Sequence, residues 1–243
     1  MPLTFYTFSS PPRFYALTGI LVPLCWMVAA GFAAAGLYMG FFVAPTDATQ
    51  GEVYRIIFIH VPAAWMSMLL YLVMAFWAAV GWAFRARLAS MVARAIAPTG
   101  AIFTFLALWT GALWGRPTWG TYWVWDARLT SVLVMFLIYV AYIALRASLD
   151  DETRAARAGA ILALVGAINL PVVKFSVDWW NTLHQGAAVF RAEGPSLAPV
   201  YLWPLLIMAL AYMAAFGSLW LVAIRVEVWR RRAEAAALRA ARA

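Results

Sequence analysis

Six uninterrupted apolar blocks, at about residues 17–43, 61–84, 95–115, 129–145, 158–173 and 201–224, decide what this chain can fold into. Each approaches the roughly 20 residues that an α-helix needs to cross the hydrocarbon of a bilayer. Lipid offers no partner to an unpaired backbone N–H or C=O, so a block of this kind crosses as a helix. Composition agrees: 66% of the 243 residues are hydrophobic and 12% are charged, against about half and a quarter in soluble domains. The predicted fold is all-α: a polytopic, six-transmembrane-helix bundle forming one membrane domain over 1–243. A Trp-rich interfacial segment (116–128) lies between helices 3 and 4, and a basic helical tail occupies 225–243. The first block is too long for a signal-peptide core and is read as retained.

Several functions are excluded by residues the chain lacks. Cys25 is the single cysteine, so there is no intrachain disulfide, no CxxC metal clip and no CxxCH haem-attachment motif. Lys174 is the single lysine and follows Val173, which removes the phosphate-binding GxxxxGK[ST] loop. A net charge of +8 comes almost wholly from arginine, and it falls between the apolar blocks, where basic residues orient a membrane protein instead of gripping nucleic acid. Thirteen basic residues lie on one side: Arg13, the second and fourth loops, and the tail from Arg225 to Arg242. The other side carries five: Arg55, Arg116, Arg128, Lys174 and Arg191. The bias predicts both termini in the cytoplasm and the first, third and fifth loops outside. The acidic run Asp150, Asp151 and Glu152 reads as a solvated turn. Gly36/Gly40 and Gly111/Gly115 are small-xxx-small pairs suited to close helix packing.

The three outer loops carry the chemistry. The stretch from Trp109 to Asp126 holds five tryptophans in its first 17 residues, at 109, 114, 119, 123 and 125. Tryptophan enriches at any membrane interface, but indoles at this density also suit a platform for a large, flat, apolar ligand; composition leaves both open. Trp119 and Trp123 are spaced to share one helical face, as in an amphipathic segment lying on the outer leaflet. The only two histidines, His60 and His184, fall on the same predicted side. Either can be an interfacial anchor, but two neutral imidazoles beside such a platform can also take the axial positions of haem iron. A two-histidine zinc site is disfavoured, because Glu52, Asp126 and Asp178 show no ligand spacing. Arg55, Arg116 and Arg128 are candidates for the propionates of such a ligand, since guanidinium is a planar fork matched to carboxylate; each also reads as a headgroup anchor. Asp126 is expected to pair with Arg128, and Pro171 to interrupt the fifth helix near its outer end.

The segment Trp114-Gly-Arg-Pro-Thr-Trp119-Gly-Thr-Tyr-Trp123-Val-Trp125-Asp126-Ala-Arg128 resembles the tryptophan-rich WWD signature of the haem-handling membrane proteins of cytochrome c maturation. The segments Ile59-His60-Val-Pro62-Ala-Ala-Trp65 and Trp179-Trp180-Asn-Thr-Leu-His184-Gln-Gly186 resemble the flanking histidine segments of its short, six-span CcmC family. The resemblance implies haem b held non-covalently at the periplasmic face of a bacterial inner membrane, with His60 and His184 as axial ligands. It implies that Trp114, Trp119, Trp123, Trp125 and Asp126 contact the porphyrin or dock a chaperone. It also implies partners: the haem chaperone CcmE, the ABC transporter subunits CcmA and CcmB, and the small membrane protein CcmD. The expected function is to bind haem and present it to the chaperone, without enzymatic turnover. The alternative is a permease subunit of an ABC-type haem exporter, which predicts a path between helices at mid-membrane.

Overall fold

The computed structural model describes residues 10–186 and 188–241; Arg242, counted above in the basic tail, lies outside them. The described residues form seven α-helices: α1 (Pro11–Tyr38), α2 (Ile57–Ala83), α3 (Arg87–Trp119), α4 (Ala127–Ser148), α5 (Glu152–Ala167), α6 (Asn169–Trp179) and α7 (Pro199–Ala240). A π-helical turn (Met39–Val43) extends α1, and a 3-10 turn (Glu52–Ile56) leads into α2. With α5 and α6 counted as one crossing, six segments are long and apolar enough to span a membrane. The chain is a multi-pass membrane protein.

The helices outrun the hydropathy blocks because their ends are polar but still capped. Asp126 starts α4 by accepting the Leu129 N–H, and Asp151 starts α5 by accepting the Arg154 N–H, each satisfying a backbone donor that the helix cannot. The fifth crossing breaks at Ile168, three residues before Pro171, so the interruption is nearer the middle of that crossing than the proline alone suggests. At the break the Asn169 side-chain amide donates to the Ser131 carbonyl of α4.

α2 and α3 form the centre, with α1 packed on α7 at one flank and α4, α5 and α6 at the other. Tyr71, Met74, Ile96, Met135 and Tyr139 fill the core with almost no exposure. Its polar atoms bond across helices: Tyr139 Oη donates to the Ser67 carbonyl at 3.0 Å, and Tyr71 Oη to the Ala163 carbonyl at 3.2 Å. In hydrocarbon such bonds join helices that hydrophobicity alone does not drive together.

One end of the bundle is closed by charge. The Glu152 carboxylate receives Arg146 at 2.6 Å, Arg231 at 3.1 Å and Arg94 at 3.4 Å, while Glu227 receives Arg231 at 2.7 Å and Arg230 at 2.9 Å. The network ties α3, α4, α5 and α7 together. Glu152 is therefore a hub between helices, and only part of the expected solvated turn.

Candidate functional site

The opposite end holds a cavity of about 1320 Å³ that both histidines line. Ligand pockets commonly run from about 300 to 1,000 Å³, so this one has room for a large ligand. Its upper rim comes from α2, the end of α3, α6 and the 180–198 segment; its lower part lies between α2 and α7 and ends at Leu72 and Met213. The lower walls are apolar, with Leu69, Leu72, Leu210 and Met213 open to the surrounding lipid.

His60 sits in the first turn of α2 and is held from α3. Its Nδ1 lies 3.0 Å from Thr110 Oγ1. The Thr110 hydroxyl already donates its one proton to the Leu106 carbonyl at 2.7 Å, so it accepts from His60. Nδ1 thus carries the hydrogen and Nε2 keeps the lone pair. The ring is seated where α3 lacks a side chain: a Cβ on Gly111 would stand 3.0 Å from His60 Cε1.

His184 comes from the 180–198 segment, and its Nδ1 faces Asp126 Oδ2 at 3.4 Å. The other oxygen of Asp126 is the α4 cap, so the carboxylate is fixed by a helix start. Burial holds the His184 imidazole below the ordinary histidine range, against the pull of Asp126. The ring is neutral at pH 7, and its contact with Asp126 is a hydrogen bond to a carboxylate; again Nε2 is left with the lone pair. Nε2 makes no hydrogen bond within the protein at either histidine, among the described residues.

The tryptophans divide into two pairs. Trp114 and Trp119 line the cavity, each edge-on to a histidine: Trp114 to His60 at 5.6 Å and Trp119 to His184 at 4.8 Å between ring centroids. Both belong to α3, which runs through Pro117 to Trp119 and stops at Gly120 in a left-handed conformation (φ 78°). No helical face therefore joins Trp119 to Trp123, and the expected flat amphipathic segment is instead the last turns of α3 followed by an irregular stretch. Trp123 and Trp125 pack on each other at 5.4 Å, away from the cavity, with Trp125 three-quarters exposed.

The arginines divide as well. Arg128 lines the cavity and donates to Ser176 Oγ at 2.7 Å and to the Lys174 carbonyl. It does not pair with Asp126 among the described residues, because Asp126 is turned to the α4 cap and to His184. Arg55 faces away, donating to the Gly40 and Ala44 carbonyls and pairing with Glu52. Arg116 donates to the Gly120 carbonyl and stacks over Tyr122. Both close local turns and neither lines the cavity.

Four residues escaped the sequence reading. Thr110 orients His60, Gln50 accepts from Trp114 Nε1 at 2.7 Å, Lys174 lines the cavity near Arg128, and Phe190 packs on Trp65 over it at 4.9 Å. Only Thr110 carried a signal, since it lies inside the tryptophan-rich stretch one residue from Gly111.

Comparison with known proteins decides the family. CcmC, described as heme exporter protein C, matches residues 4–239. The chain belongs to the CcmC family. Among its relatives, heme exporter protein C of Bradyrhizobium diazoefficiens is 53% identical over 95% of this chain and 87% of its own. The Escherichia coli protein of the same name is 48% identical over 76% of this chain and 75% of its own, and that of Haemophilus influenzae 39% identical over 94% and 93%. Membership makes this chain a component of haem handling for cytochrome c maturation.

Proposed function

We propose that this protein holds haem b non-covalently as cargo at the histidine end of the bundle and presents it to a haem chaperone. The observation that carries the reading is that both imidazoles line one cavity, each committing Nδ1 to a partner and making no hydrogen bond through Nε2 among the described residues. The donor set suits a porphyrin iron, whose equatorial positions need no protein ligand. No group of three or more His, Cys, Asp or Glu able to cage a bare ion exists among the described residues. Haem supplies the iron and the reactive vinyl edge; the chain supplies position.

Trp114 and Trp119 flank the ring beside its ligands, and Arg128 faces the propionates, with Lys174 beside it. Trp125, outside the cavity and exposed, with Trp123 packed beneath it, presents a docking surface to the chaperone CcmE. The basic bias of the loops and tail supports an orientation with both termini in the cytoplasm and the haem site at the periplasmic face of the inner membrane. CcmA, CcmB and CcmD complete the assembly. The chain contributes positioning and no turnover of its own.

The second reading, a permease subunit, draws on the cavity's lower part. From His60 to Leu72 is twelve residues of helix, about 18 Å of a hydrocarbon core about 30 Å thick. The packed core around Tyr71 and Met74 lies beside its end, which favours a dead-ended pocket over a through-path. Incubating haem-loaded protein in vesicles with apo-CcmE on the outside, without ATP, separates the two: presentation predicts transfer to the chaperone, whereas an obligatory permease predicts none until the ATPase is supplied.

A further inference from the structure

The two histidines have unlike supports. His60 rides on a helix and meets an uncharged acceptor, the Thr110 hydroxyl, at 3.0 Å. His184 rides on the connection between α6 and α7, whose described residues (180–186 and 188–198) hold no helix, and its Nδ1 meets a carboxylate, Asp126. That carboxylate is itself fixed, because its other oxygen accepts the Leu129 N–H at the start of α4 at 2.7 Å. A hydrogen bond to a charged acceptor is about twice as strong as one between neutral groups. The group behind a ligand imidazole sets both its aim and the basicity of the nitrogen that binds.

We propose that Asp126 and Thr110 are positioning residues that make the two axial ligands unequal, with His184 the stronger donor and His60 the weaker. Asp126 does two jobs at once: it tethers a histidine that no helix holds, and it pushes electron density through the ring towards Nε2. Thr110 selects the tautomer of a histidine whose backbone is already rigid, and adds little donor strength. This rests on the haem reading above and assigns the aspartate of the tryptophan-rich signature a role behind the ligand, in place of contact with the porphyrin or chaperone.

The test uses the full-length, haem-loaded protein and the variants Asp126→Asn and Thr110→Val. Asparagine caps a helix as well as aspartate does, so Asp126→Asn removes the charge and keeps the α4 start. Two readouts are compared: the haem reduction potential by spectroelectrochemistry, and the rate of haem loss to an excess of a haem-scavenging globin. The inference expects Asp126→Asn to raise the potential and to speed haem loss about tenfold, the lower end of what the loss of such a support costs. Thr110→Val should shift both by less. Failure of Asp126→Asn to load haem, with Thr110→Val loading normally and both melting near the parent temperature, is the same ordering at its extreme and supports it. An unchanged potential and loss rate in Asp126→Asn, or a larger effect from Thr110→Val, overturns it. A parent protein without a bis-imidazole haem spectrum, or with one that survives His60→Ala and His184→Ala, contradicts the haem reading itself.

Discussion

The two ends of this bundle solve opposite problems with similar residues. At the Glu152 end, six charged side chains from four helices are brought together and turned on one another, and the Arg146 side chain is left only 2% exposed. At the histidine end, polar side chains are held just as firmly, but each is satisfied on one side only. His60 spends Nδ1 on Thr110 and His184 spends Nδ1 on Asp126, and the opposite nitrogens have no hydrogen-bond partner among the described residues. At the Glu152 end the charged groups find their partners within the bundle, Arg146 Nε excepted; at the histidine end the anchored imidazoles line a large, mainly apolar cavity. Burial without full satisfaction costs free energy, and such a cost is retained where function needs it.

The contrast predicts that damage at the two ends separates cleanly. The largest effect belongs to His184→Ala and His60→Ala, each expected to lower haem retention at least 100-fold in the purified protein with little change in thermal stability; difference spectra during purification measure it. Next is Glu152→Ala, which strands a buried guanidinium. Removing one member of a fully buried pair costs about 3–5 kcal/mol, and Glu152 is partly exposed, so about 2 kcal/mol is expected. The melting temperature should fall while the haem spectrum of the folded fraction stays as in the parent. A smaller effect is expected of Gly111→Val, whose new methyl groups press on His60. Overpacking of this kind costs about 1 kcal/mol, and haem affinity should weaken about fivefold by titration. Smallest is the arginine set. Arg128→Ala should weaken haem binding severalfold, whereas Arg55→Ala and Arg116→Ala should leave affinity within experimental error, because neither side chain reaches the cavity.

Much of this was legible in the sequence, for reasons of range. The helical class follows from the apolar blocks, because a bilayer imposes one length and one hydrogen-bonding rule on every segment. The histidines and the tryptophan-rich stretch stood out as rare or clustered residue types. What did not stand out depends on contacts between distant residues. Trp119 belongs to α3 and Trp123 does not, because Pro117 sits inside a helix that Gly120 then ends. Hydropathy does not register that boundary. Arg55 and Arg128 look equivalent along the chain, and only the packing of α2 and α4 turns one towards backbone carbonyls and the other towards the cavity. Asp126 reads as a partner of its neighbour Arg128 until His184, 58 residues on, claims it. Glu152 likewise reads as turn chemistry until α7 brings Arg231 to it.

One spectroscopic experiment bears most directly on the central claim, that Nε2 of His60 and Nε2 of His184 bind one iron. Electron paramagnetic resonance of the ferric, haem-loaded protein should give a single low-spin bis-imidazole signal. Either single histidine-to-alanine variant should convert it to a high-spin signal, and added imidazole should restore low spin. A low-spin signal that persists unchanged in both variants contradicts the account.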